Sequence, residues 1–284
     1  MINALRRNDL VLVIGAGVSI NSLNSGAESP LGWKDLIIQL ETVARGNAEA
    51  DPILQRLIDA ASLLEAAERV MAKAHRSGRI RDVQLKIKSL TDGGAGAGGG
   101  GNFQPNAWHD AILMLEPTVV ITTNYDRLIE RASQSGYQVH TYLSETVGQE
   151  VRRGEPILVK IHGSVDDLEN IVLTQSDYSR MHIRGRHALD VVQALFLTRV
   201  VLFIGYSIVD PDIRLLLQNT VGGRGQIPSH YMLTPRVDEF QRQMLTDAFG
   251  IIPIEYDTTG DHSEGLAMLR ELANVPRSVV AAFE

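Results

Sequence analysis

Three apolar runs that stop abruptly at glycine or a small polar residue constrain this 284-residue chain more than any other feature. Leu10–Ile14 (LVLVI) stops at Gly15-Ala16-Gly17. Thr118–Thr122 (TVVIT) stops at Thr123-Asn124-Tyr125-Asp126, and Val200–Ile204 (VVLFI) at Gly205-Tyr206-Ser207. Each run is continuously hydrophobic and rich in β-branched residues rather than alternating, which is the pattern of a strand buried on both faces of a sheet. Ile157–Ile161, Asn170–Leu173, His230–Leu233 and Ile251–Tyr256 read as further strands. Between the strands, Asp126–Ser133, His187–Thr198, Pro211–Asn219, Val237–Phe249 and Ser263–Leu272 carry helical spacing. This alternation predicts an α/β fold: a Rossmann-like, mainly parallel sheet with helices on both faces.

From Trp33 to Leu90 the strand signal fades, and helical stretches rich in Ala, Leu and Glu, such as Pro52–His75, take over. A helical cap inserted after the first βα unit is expected there. Next comes the tract 93–101, in which seven of nine residues are glycine. It fits a flexible spacer between cap and core, and it also fits a mobile flap or partner-ordered loop. The expected division within a single domain of 1–284 is a Rossmann-like core of 1–32 and 105–284, a helical cap of 33–92 and a glycine-rich flexible loop of 93–104.

Acidic residues (34) outnumber basic ones (27), for a formal net charge of -7. No broad phosphate-coating surface follows from that balance, so direct nucleic-acid binding is not expected. Cysteine is absent, which excludes disulfides, thiolate nucleophiles, iron–sulfur clusters and sulfur-ligated zinc. His182 and His187, five apart, do not share a helix face, and no metal site is expected. The N-terminal segment lacks the apolar run of a signal peptide, and no stretch reaches the roughly 18 uninterrupted apolar residues of a membrane span. A cytoplasmic chain without membrane association is the expectation.

The chemistry-bearing residues lie where the apolar runs stop. In Gly15-Ala16-Gly17-Val18-Ser19, glycines directly after a buried strand admit a pyrophosphate against the backbone, with the N–H groups and dipole of the next helix facing it. A tight strand–turn–helix junction without a ligand is the other reading. Ile20 stands at the third glycine position of the dinucleotide fingerprint, and the Gly-Lys-Ser/Thr ending of a P-loop is missing. Thr123-Asn124-Tyr125-Asp126 lies at the strand edge where open α/β sheets bind ligands. Asn124 or Asp126 also fits a simple N-cap of the following helix. His162, just past a strand and followed by Gly163, places an imidazole in the same cleft with nothing crowding it, able to take a proton from water or a ribose hydroxyl. A purely structural histidine is the alternative. Gly205 permits close ligand approach, and Ser207 suits a phosphate, a ribose or a helix cap.

In order, GAGxS, TxNxD, HG and GxS at four strand ends resemble the sirtuin family, and within it the divergent bacterial sirtuin-like members. The segments ITTNYDRLIERA, VKIHGSVDD and LFIGYSIVDPDIRLLL carry the likeness, which runs from about Asp9 to Leu217. The resemblance implies NAD, held as substrate between core and cap. Gly15, Ala16, Gly17 and Ser19 would contact its pyrophosphate, and Gly205 and Ser207 would cradle the adenosine side. Asn124 and Asp126 match positions around the nicotinamide and its ribose, with Thr123 beside them, and His162 matches the catalytic base. Pro30 and Trp33 fall where the family's flexible cofactor loop lies.

Protein-deacylating sirtuins carry a four-cysteine zinc ribbon, for which this chain has neither cysteines nor room between His162 and the next strand, only Gly163–Leu168. Similar zinc-free members act as NAD hydrolases in bacterial antiphage defence. The expected reaction is therefore cleavage of the nicotinamide–ribose bond by water, with Asn124 orienting water or ribose, Asp126 near the developing positive charge and His162 accepting the proton. NAD-dependent deacylation or ADP-ribosyl transfer at the same site is the alternative enzyme, and a non-catalytic NAD-binding regulatory subunit the alternative outside enzymes. An unrestrained NAD hydrolase is toxic to its own cell, and residues Gly260–Glu284 are expected to supply only a final helix pair. A trigger in trans is thus expected, a HerA-like ATPase ahead of an Argonaute-type partner, together with homo-oligomerisation. Arg6, Arg7 and the apolar VVAAF at 279–283 are candidate contact points.

Overall fold

The structure, a computed structural model, describes residues 1–94, 101–208, 210–221 and 230–276. Helix α1 (Ile2–Arg6) leads into β1 (Leu10–Ile14) and one helical turn, α2 (Ala16–Ser19). Four helices follow without a strand: α3 (Trp33–Arg45), α4 (Pro52–Asp59), α5 (Leu63–Arg76) and α6 (Ile80–Asp92). The chain then runs through α7 (Ala107–Leu113), β2 (Val119–Thr122), α8 (Leu128–Ala132), β3 (Gln138–Thr141), α9 (Val147–Arg153) and β4 (Ile157–Lys160). After α10 (Gln175–Arg184) and α11 (Arg186–Thr198) come β5 (Val200–Ile204), α12 (Pro211–Val221), β6 (His230–Pro235), α13 (Glu239–Phe249), β7 (Ile251–Tyr256) and α14 (Ser263–Ala273).

The strands form one sheet in the order β3-β4-β2-β1-β5-β6-β7, with every neighbouring pair parallel. The order reverses at β1, where the chain first works outward through β2 and β4 and later restarts on the other side with β5. A crevice opens at such a switch point beyond the carboxyl ends of the strands. The continuous apolar runs are explained by burial on both faces. Val11, Val13, Ile121, Val159 and Phe203 pack with Phe196 of α11 and Phe249 of α13. The alternate residues Leu12, Ile14, Val120, Leu158 and Leu202 pack with Ile112 of α7 and Leu269 of α14.

Helices α3–α6 bury their own cluster, including Leu36, Ile37, Leu40, Val70, Val83 and Ile87. Ile171 and Leu173 complete it from the sheet side. These two belong to the segment Asn170–Leu173, expected as a strand, and here the structure differs. A 3-10 turn over Leu168–Asn170 leads into Ile171–Leu173, which pairs with no strand among the described residues. All three apolar residues are buried, so the sequence signal reported burial while the side chains fill the seam between cap and sheet. Val172 holds that seam by donating its N–H to His162 O (2.9 Å) and accepting the Tyr125 hydroxyl at 2.6 Å.

Strand β3 has no counterpart in the sequence reading, because as an edge strand it leaves Gln138 and Val139 exposed and lacks a continuous apolar run. Helices α7, α9 and α10 are likewise additions. Pro52–His75 is two helices, with Ala61 between them in the left-handed region (φ 56). Residues 95–100 of the glycine-rich tract, and VVAAF at 279–283, lie outside the described residues. The described ends of the tract meet: Gly93 pairs with Asn102, and Gly94 N–H donates to Gly101 O at 2.8 Å.

Candidate active site

At the carboxyl edge of the sheet, around the switch point, lies a cavity of about 620 Å³, a size that suits a small organic ligand or cofactor. All of the residues expected from the sequence line it. Gly15, Ala16, Gly17 and Ser19 come from the end of β1 and α2, Trp33 from the start of α3, and Thr123, Asn124 and Asp126 from beyond β2. His162 follows β4, and Gly205 and Ser207 follow β5.

The glycines are there first for each other. A Cβ on Gly15 would fall 2.5 Å from Gly205 O, and one on Gly17 2.8 Å from the same atom. Gly205 itself sits at φ +60, and a Cβ there would fall 2.5 Å from Val18 N. Gly15 N–H donates to Ile204 O (3.0 Å) and Gly17 N–H to Gly205 O (2.8 Å). The turns after β1 and β5 therefore interlock backbone to backbone, and two of the amides expected to face a pyrophosphate already have acceptors. Helix α2 spans only four residues, so it brings one turn of peptide dipoles rather than a long helix's end charge.

Ser19 is likewise committed inside the protein. Its Oγ donates to Asp126 Oδ2 (2.9 Å) and accepts from Asn124 Nδ2 (3.1 Å). The Asn124 amide is thus held through nitrogen, with its carbonyl oxygen left for a ligand, while Asn124 N–H donates to Thr122 Oγ1 at 3.0 Å. Asp126 also accepts from Leu128 N–H at 3.0 Å, the first amide of α8, whose N-cap position is held by Arg127. Burial holds its carboxyl above the usual range, opposed by the Lys160 charge and these hydrogen bonds.

Beneath Asp126, Lys160 is fully buried, donating to Glu130 Oε1 (2.8 Å) and to the Asp126 backbone carbonyl. His162 is not in open space, as the sequence implied. It is 5% exposed, with the Tyr178 ring edge-on at 5.1 Å and Asp210 Oδ2 3.3 Å from Nε2. Gly163 serves the turn rather than ligand access: at φ +84, a Cβ there would fall 2.6 Å from Asn170 O. No lysine or arginine lines the cavity among the described residues, whereas Asp126, Asp210 and Asp261 do. Nor do the described residues include a cluster of three or more His, Asp or Glu able to hold a metal ion.

This constellation can orient a hydroxyl or water with a fixed amide, accept a proton on an imidazole and favour positive over negative charge. Residues 118–254, from just before β2 into β7, match the family model described as SIR2-like domain. That stretch is similar to a SIR2-like domain.

The match begins after the glycine turn and cap and ends beyond Leu217, where the sequence likeness was expected to fade. Among curated proteins, the chain is similar to NAD(+) hydrolase ThsA of Cytobacillus dafuensis, 24% identical over 90% of this chain and 47% of the relative. It is also similar to defense-associated sirtuin 2 of Bacillus subtilis, 31% identical over 39% of this chain and 11% of the relative. NAD(+) hydrolase ThsA of Enterococcus faecium is 34% identical over 39% of this chain and 24% of the relative. The chain spans about half or less of the length of these relatives.

The fold also places residues in the cavity that the strand-end motifs did not include. Tyr178 of α10 and Asp210 before α12 stand beside His162, and Trp108, Thr234, Tyr256 and His262 line the side of β6 and β7. The signal for Asp210 was an aspartate directly before a proline at a helix start, an N-cap signature. For Thr234 and Tyr256 it was the end of two predicted strands at the same sheet edge. Among the described residues, no helix is long and apolar enough to cross a membrane.

Proposed function

We propose that the chain hydrolyses NAD at the nicotinamide–ribose bond, giving nicotinamide and ADP-ribose. The observation that carries this reading is the convergence of Asn124 and His162 on one cavity with the interlocked glycine turns of β1 and β5. The cavity wall fits a polar ligand in a further respect: Trp33 lines it, and its indole Nε1–H is buried without an acceptor. The names of the similar NAD(+) hydrolases support the same reaction.

The nicotinamide ring nitrogen is cationic before cleavage, so the C–N bond breaks with its electron pair returning to a neutral leaving group. The ribose carbon left behind is oxocarbenium-like, and the acidic lining of the cavity favours it over an anion. Asn124, fixed by Ser19, orients the water or ribose through its free carbonyl oxygen. Water forms the new C–O bond and gives its proton to His162. Gly15, Ala16 and Gly17 lie against the pyrophosphate, with Gly205 and Ser207 on the adenosine side.

In this reading the chain is a cytoplasmic antiphage effector whose toxicity is held back until homo-oligomerisation or a partner in trans switches it on, a HerA-like ATPase ahead of an Argonaute-type protein. The test is nicotinamide release from NAD by the purified chain, alone and with lysate from phage-infected cells. Release that is lost in both Asn124→Ala and His162→Ala, with the thermal unfolding transition retained, is the expected result. Full release by both variants overturns the assignment.

A further inference from the structure

Asp210 lies within the segment LFIGYSIVDPDIRLLL but beyond the four strand-end motifs, and its carboxylate joins two parts of the site. Oδ1 accepts from Ile213 N–H at 3.0 Å, fixing the side chain at the first turn of α12. Oδ2 turns toward His162: it accepts the Tyr178 hydroxyl at 2.7 Å and lies 3.3 Å from His162 Nε2. The three side chains are all buried, and the Tyr178 ring meets the imidazole edge-on with the planes at 70°. Nε2 is sealed from solvent and makes no aligned hydrogen bond, so the Asp210 carboxylate at 3.3 Å acts on it as a charge contact, and the ring nitrogen left on the cavity side is Nδ1.

A neutral imidazole carries its proton on one nitrogen or the other, and only the unprotonated nitrogen works as a base. An ionised carboxylate can only accept, so Asp210 facing Nε2 selects the form protonated there. Tyr178 donates to the same oxygen and its ring walls one side of the imidazole, which opposes rotation of either partner. We propose that Asp210 is a positioning residue for His162: it fixes the proton on Nε2 and leaves the Nδ1 lone pair to accept the proton from the attacking water. This role rests on the hydrolase reading, and its geometry stands on its own.

The test is Asp210→Asn, in which the amide oxygen keeps the bond from Ile213 N–H and the amide N–H₂ faces Nε2. The amide then donates to Nε2 and moves the imidazole proton to Nδ1. In the serine-protease triad the same acid-to-amide exchange behind the histidine costs about 10⁴-fold in kcat. In ¹⁵N-histidine spectra at a pH where imidazoles are neutral, with the His162 signal assigned by its loss in His162→Gln, the expected form is Nε2–H in the native protein and Nδ1–H in Asp210→Asn. Nicotinamide release falls by roughly 10²-fold or more in kcat, with KM for NAD unchanged. Nδ1–H in the native protein overturns the proposal, as does an unchanged kcat in the variant. A rise in KM with kcat intact also overturns it, because Asp210 would then touch the substrate rather than the histidine. If Asp210→Asn does not fold, the native spectrum decides alone. The spectra need no turnover, so a chain that fails to hydrolyse NAD overturns the functional reading and leaves the tautomer result standing.

Discussion

Ser19 and Asp126, 107 residues apart in the chain, share a buried hydrogen bond of 2.9 Å that ties α2 to the segment after β2. The same Ser19 hydroxyl accepts from the Asn124 amide, so one oxygen sets the orientation of the residue proposed to hold water or ribose. Ser19→Ala removes both bonds and leaves a buried carboxylate oxygen with one donor fewer, at a cost of about 1–3 kcal/mol in stability. The expected outcome is a modest fall in the chemical denaturation midpoint and at least about a tenfold fall in kcat for nicotinamide release, since a freed amide loses its alignment. Unaltered turnover in a folded Ser19→Ala protein would separate Ser19 from the site.

Gly15 and Gly205 make a second relationship that substitution can test. Gly205→Ala would put a methyl group 2.5 Å from Val18 N at a left-handed backbone position (φ +60), and the obstacle is backbone, which cannot swing away. A loss of roughly 2 kcal/mol or more is expected. Gly32→Ala is the control, because nothing lies within 4 Å of its added Cβ and its φ of -67 suits alanine. Urea unfolding of the two variants side by side should show a large shift for the first and a change within about 1 kcal/mol for the second. Equal midpoints would mean that the two turns are not interlocked.

Lys160 and Glu130 form a buried ion pair at 2.8 Å directly under the Asp126 carbonyl. Removing only one partner leaves an uncompensated buried charge, so Lys160→Met should cost about 3–5 kcal/mol. Lys160→Met with Glu130→Leu replaces the pair by apolar groups and should recover most of that loss. A double-mutant cycle read by denaturant unfolding checks this, and additive losses would sink the idea that the pair acts as a unit.

His109 and His230 are buried, and burial pushes each down from 6.5 to about 4. Between those values the unfolded chain binds protons that the folded one refuses. Their contribution is therefore fully present above about pH 6.5 and is lost as the pH falls toward 4, by up to about 3 kcal/mol for each histidine. Denaturant unfolding at pH 7.5, 6 and 5 should show stability falling with pH, and His230→Gln should flatten the slope. Constant stability from pH 7.5 to 5 would contradict it.

The parallel sheet was legible because a strand buried on both faces leaves a continuous apolar run. Leu10–Ile14 and Val200–Ile204 coincide with β1 and β5 residue for residue. The candidate site was legible for a related reason: in such sheets ligands meet the strand ends, so Gly15, Asn124, His162 and Gly205 mark one edge before any contact is known. Edge strand β3 was not legible, since exposure on one side erases the run. Ile171–Leu173 misled because burial alone does not say what a segment is buried against.

By itself, then, the sequence determined the sheet, its helical insertion and the residues gathered at one edge, through hydrophobic runs that local chemistry interrupts. Tertiary structure decided what each residue does there. It turned the glycines toward one another, committed the Ser19 hydroxyl to Asp126 and Asn124, buried Lys160 against Glu130, and set Asp210 and Tyr178 around His162. Those pairings join segments far apart in the chain, and hydrogen-bond partners at such separation leave no periodicity for a sequence to display.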